Sequence, residues 1–60
     1  MKKSYIIEYW YDRHQKYWVV QIFDNNGVEQ ECVVGIKKQG LEEEISYYKN
    51  KYSTEEVKRL

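Results

Sequence analysis

The tetrapeptide Asp24-Asn25-Asn26-Gly27 separates two runs dense in β-branched and aromatic residues, KYWVVQIFD before it and VEQECVVGI after it. Aspartate first, asparagine third and glycine fourth is the pattern of a type I turn closed by a left-handed glycine. It commits residues 16–24 and 28–36 to one hairpin. A three-residue loop ending in a glycine bulge opposes Asp24 to Val28, so residues of equal parity share a face. Trp18, Val20 and Ile22 then lie with Val28, Gln30, Cys32, Val34 and Ile36. A two-residue Asn26-Gly27 loop would instead set Ile22 and Val20 beside Glu29, Glu31 and Val33. A one-residue slip exchanges the faces of a strand, so the two registers exclude each other. The bulged turn gives the more apolar core and is the expectation.

A third run, SYIIEYWYD at residues 4–12, has the same β-favouring character. The polar break Asp12-Arg13-His14-Gln15-Lys16 joins it to the hairpin. Placing its tyrosines on the core side leaves Ile6, Glu8 and Trp10 outside and avoids burying a carboxylate, so that register is favoured. After Gly40, Leu41, Ile45, Tyr48 and Tyr52 recur at helical spacing and predict a helix starting near Leu41. Glu42, Glu43 and Glu44 would occupy its first turn and Lys49 and Lys51 its last, as the helix dipole prefers. Ser53-Thr54-Glu55-Glu56 reads as a capping box, with Ser53 as cap, that would open a short second helix over residues 54–60. The expected fold is therefore α+β: a three-stranded antiparallel β-meander packed on a C-terminal α-helix, β-β-β-α, as one domain over residues 1–60.

Sixty residues lie near the lower limit for folding without a staple. A single cysteine excludes an internal disulfide, and Cys32 and His14 are too few soft ligands for a structural zinc. No metal or cofactor is expected. The core must come from the composition, which is 42% hydrophobic and 17% aromatic. Ten basic and ten acidic side chains cancel, without the basic excess of a phosphate-tracking protein. The longest apolar runs are too short to span a membrane. Met1-Lys2-Lys3 leads into a strand with no signal-peptide apolar region, which sets the expectation of a cytoplasmic protein.

One helix covers one face of a sheet. Tyr17, Val19, Phe23 and Val33 are therefore expected on an open face, with Trp10 beside them, and these five are the candidate binding residues. A contiguous apolar patch on so small a domain points to a protein partner or a second copy of the chain. The expected function is non-enzymatic docking or self-association through that face, in the manner of a small phage or mobile-element inhibitor of a host protein. His14 reads as a solvated loop residue and Cys32 as a small core hydrophobe. Glu42, Glu43 and Glu44 spread around a helical turn and cannot converge on one ion. The alternative is nucleic-acid binding, with bases stacked on the aromatic sheet and Lys2, Lys3, Arg13, Lys16, Lys37 and Lys38 on phosphates. In element order the chain resembles the small sheet-first DNA-binding domains of some phage-type integrases, which implies the same alternative. The zero net charge and an outer face carrying Glu29 and Glu31 depart from such a binder.

Overall fold

Residues 4–60 are described by a computed structural model in the order β1 (Tyr5–Asp12), β2 (Tyr17–Asp24), β3 (Glu29–Ile36), α1 (Lys38–Tyr52) and β4 (Val57–Arg59). The strands form one sheet in the order β3-β2-β1-β4; the first three make an antiparallel meander, and β4 runs parallel to β1. The α+β class and the meander followed by a helix are as the sequence predicts. Each of the first three strands begins within one residue of its expected bound. No helix among the described residues is long and apolar enough to cross a membrane. Met1-Lys2-Lys3 lies outside the described residues, and with it the reading of the leader and two of the candidate phosphate contacts.

The β2–β3 turn follows its sequence. The Asp24 N–H donates to the Val28 carbonyl at 3.0 Å, the Gly27 N–H donates to the Asp24 carbonyl at 3.0 Å, and Gly27 holds φ +81°. Asp24 Oδ1 accepts the N–H groups of Asn26 at 2.8 Å and Val28 at 2.9 Å. A short carboxylate at the first turn position satisfies backbone donors that the loop would otherwise leave open. Asp12 repeats the device between β1 and β2, where its Oδ1 accepts the N–H groups of His14 and Gln15.

Beyond the turn, β3 departs from the expected parity. The ladder shifts by one residue between Phe23 and Ile22, and again between Val20 and Trp18. Ile22 consequently opposes Glu31, Val20 opposes Val33, and Trp18 opposes Ile36. Val33 packs against the core, whereas Cys32, Val28 and Val34 are exposed. The turn is as the sequence predicts and the faces of β3 beyond it are not, because a bulge reverses parity in mid-strand. Two things favour the shifted register. Val33 brings more apolar surface inward than Cys32, and Glu31 reaches Lys51 and Tyr52 on α1. Gly35, at φ +73°, supplies the backbone where the second shift returns Ile36 to the core side.

In β1 the tyrosine face turns inward: Ile7 opposes Ile22, Tyr9 opposes Val20, and Tyr11 opposes Trp18. Ile7, Val20, Ile22, Ile36 and Tyr48 form the buried centre. Leu41, Ile45 and Tyr52 complete the α1 stripe over it. Full burial of each aliphatic side chain contributes about 1.5–3 kcal/mol.

The helix starts at Lys38, so no acidic residue lies in its first turn; Lys49 and Lys51 do occupy the last. Glu42, Glu43 and Glu44 therefore sit one turn further in than expected. Ser53 is the end of α1 and not the start of a second helix. It adopts φ 51°, ψ 48°, and its N–H donates to the Asn50 carbonyl while that of Thr54 donates to the Lys49 carbonyl. The predicted second helix is replaced by β4. The Ile7 N–H donates to the Glu56 carbonyl at 2.9 Å, and the Leu60 N–H donates to the Tyr9 carbonyl at 2.9 Å. The open edge of β1 offers these backbone partners, and Val57 gains burial against the core. A seven-residue segment is too short to hold a helix by itself, even with helix-favouring Glu, Lys, Arg and Leu.

Candidate functional site

The open sheet face brings together four of the five expected binding residues. Cross-strand pairing sets Trp10 beside Val19, Ile6 beside Phe23 and Asp12 beside Tyr17. Val33 is not among them, since the β3 bulge turns it to the helix side. Val19, expected near the centre of a docking surface, is only 2% exposed. Trp10, Tyr17 and Phe23 are half-buried. The Trp10 Nε1–H donates to Gln21 Oε1 at 3.0 Å, and Gln21 Nε2 donates to Glu29 Oε1 at 2.8 Å. These side chains cover one another, as cross-strand aromatic pairs do on a solvated sheet face.

A second feature assembles at the other end of the strands, around the β1–β2 loop and the junction of β3 with α1. An open groove of about 750 Å³ has Tyr11, Trp18 and Ile36 among its lining residues. Around them stand Arg13 and Lys16 from the loop, Lys37 and Lys38 from the junction, and Arg59 from β4. The sequence has ten basic side chains. With Lys2 and Lys3 outside the described residues, five of the remaining eight line this one groove. No aspartate or glutamate lines it among the described residues. The ion pairs found there employ Lys49 with Glu55 and Lys51 with Glu31, and none of the five groove cations. The start of α1, which has no side-chain cap, adds the partial positive charge of a helix N-terminus.

The groove rings Tyr11 and Trp18 belong to a tilted aromatic cluster that Tyr9 joins from outside the groove, with interplanar angles to Trp18 of 60° for Tyr11 and 40° for Tyr9. Tyr9 and Tyr11 lie 6.0 and 5.4 Å from Trp18, and the Arg59 guanidinium sits 5.4 Å over the Trp18 ring. Tyr11 remains 44% exposed. Four of these cations were already candidate phosphate contacts in the sequence. Their convergence with Tyr11 and Trp18 was not, because Arg59 arrives only when residues 57–59 form a strand whose odd positions face α1. The register of β4 against β1 places Arg59 beside Tyr9.

The remaining polar cluster braces the fold. Glu31 on β3 accepts a hydrogen bond from the Tyr52 hydroxyl and pairs with Lys51 at 2.8 Å. Lys51, and after it Tyr52, hold the Glu31 carboxyl below its ordinary range. The same hydrogen-bonded carboxylate raises Lys51 and pushes the Tyr52 phenol up to about 12. Desolvation, followed by the charge of Glu29, pushes the Cys32 thiol up, which is the opposite of an activated nucleophile. His14 is exposed in its loop. Compared with known proteins, the chain matches no family model, no curated protein and no solved structure.

Proposed function

We propose that this chain is a non-enzymatic binding domain whose ligand is a polyanion, specifically nucleic acid, held in the cationic groove between the β1–β2 loop, the β3–α1 junction and β4. The observation that carries this reading is charge segregation in a molecule of zero net charge. Among the described residues, five cations surround exposed aromatic surface with no aspartate or glutamate side chain in the lining and no ion pair to any of the five. Ten carboxylates were available to balance them. Clustered like charge costs stability, and a polyanion removes that cost while releasing its counterions.

The test is fluorescence anisotropy of a labelled oligonucleotide titrated with the protein between 50 and 200 mM salt. Three to five phosphate contacts on a single strand predict a slope of log affinity against log salt of roughly −2 to −3.5. Reversing charge with Lys37→Glu and Lys38→Glu together should weaken binding by at least about tenfold and flatten the slope. Lys58→Glu, on the opposite face of β4, should change little. A flat salt response, or equal effects from both sets, rejects the reading.

One observation favours a second reading, in which a protein partner or a second copy docks on the open sheet face. No second layer covers that face among the described residues, and Val34 at its β3 edge is 56% exposed. Sedimentation across a hundredfold range of protein concentration tests self-association. Phe23→Ala and Tyr17→Ala should then weaken the assembly without unfolding the monomer.

A further inference from the structure

Resting on the groove reading above, we propose that the groove takes single-stranded rather than double-helical nucleic acid, with an unpaired base against Tyr11 and its flanking phosphates on the rim cations. The groove combines two chemistries that a single strand, unlike a duplex, can use together. Its rim is cationic, which suits any polyanion. Its interior presents Tyr11, 44% exposed, packed at a tilt against Trp18, whose ring the Arg59 guanidinium covers at 5.4 Å. A double helix keeps its base faces inside, so it would touch the rim and leave the rings unused. An unpaired base has a free π-face and can stack on such a ring whatever its sequence.

The placement of the cations fits the same ligand. Arg13 and Lys16 belong to one loop, and Lys37 and Lys38 to the junction beyond β3, so cations from different segments converge on the rings. A flexible strand can set one base on Tyr11 and its neighbouring phosphates on both groups. The groove of about 750 Å³ is of the size that accommodates a small ligand. The other aromatic face is the poorer platform: Trp10, Tyr17 and Phe23 share it with Glu8 and Glu29, whose charge repels phosphate. Stacking is therefore assigned to Tyr11 in the groove.

The test uses protein carrying Trp10→Phe, which leaves Trp18 as the only tryptophan and hence a reporter inside the groove. Oligothymidylate and oligouridylate of about ten nucleotides, a duplex of the same length and inorganic polyphosphate are titrated in parallel. Binding is read by anisotropy for the labelled nucleic acids and by Trp18 emission for every probe. The expected result is that at least one single strand binds at least about tenfold tighter than the duplex and quenches Trp18 emission. Tyr11→Leu should lose roughly fivefold or more for that strand with duplex binding unchanged, and Tyr11→Phe should keep it. Circular dichroism verifies folding; if Tyr11→Leu unfolds, the strand preference and the quenching decide. Duplex or polyphosphate binding as tight as the single strands, sensitive to Lys37→Glu with Lys38→Glu, would overturn the stacking inference and leave the polyanion groove standing. Failure of all probes to bind would overturn both.

Discussion

Ser53 holds the left-handed conformation in which glycine is the default, because a Cβ there crowds the following carbonyl. Its backbone closes α1 with hydrogen bonds that run to Asn50 from Ser53 and to Lys49 from Thr54. Ser53→Gly should therefore stabilise the protein by about 1 kcal/mol, read as a shift of the urea midpoint at constant slope. A neutral or destabilising result would mean that the α1 terminus is not closed this way. Tyr52 permits a second single-residue test. Its phenol donates to Glu31 and is pushed up to about 12, so its folded value is raised above the unfolded one. The stability it adds is fully present below pH 10 and is lost as pH rises toward 12. Lys51, also raised, acts in the same direction, whereas the lowered Glu31 loses its contribution as pH falls through and below the ordinary carboxylate range. An ultraviolet titration should find a phenol ionising near 12 that disappears in Tyr52→Phe and moves back toward 10 in Glu31→Gln.

β3 and β4 are the elements whose behaviour depends most on tertiary context, and they mark where sequence reasoning stopped. The meander, its turns and the helix stripe were legible because each is local: a turn tetrapeptide, a run of β-formers, a spacing of three and four. Face assignment on β3 was not, since parity counting assumes an unbroken ladder and the bulges break it twice. The available signal was Gly35, a glycine inside a strand, which often marks a bulge. β4 was illegible for a different reason. Three residues show no alternation, and Glu55 and Glu56 suit a helix start, so only the edge of β1 decides the outcome. The groove inherited that blindness through Arg59. Gly35 also supports a prediction at this scale. An added Cβ meets nothing within 4 Å, so Gly35→Ala is strained by its φ of +73° alone and not by a clash. It should destabilise by about 1 kcal/mol. If it instead stabilises, as Gly→Ala does at compatible sites, the second bulge is absent in solution.

Among the described residues the two ends of the sheet differ in charge. The cationic groove lies at the end carrying the β1–β2 loop, and a shallow recess lined by Glu8, Asp24 and Glu56 lies at the end carrying the β2–β3 turn. The groove is stitched from residues 11–18, 36–39 and 59–60, which meet only in the folded chain. An unfolded chain cannot offer that site, so a ligand in the groove must stabilise the native state by mass action. An oligonucleotide at a hundredfold excess over its Kd contributes about 2.7 kcal/mol. For a domain of this size that corresponds to a rise in Tm of roughly 20 °C. Docking of a second copy on the open face is linked to a different variable, because its stabilisation grows with protein concentration and needs no oligonucleotide. Thermal unfolding measured over a matrix of protein and oligonucleotide concentrations therefore separates the two surfaces. A Tm that climbs with oligonucleotide, falls back at high salt and ignores protein concentration assigns the function to the groove. A Tm that climbs with protein concentration alone moves it to the face of Trp10, Tyr17, Val19 and Phe23.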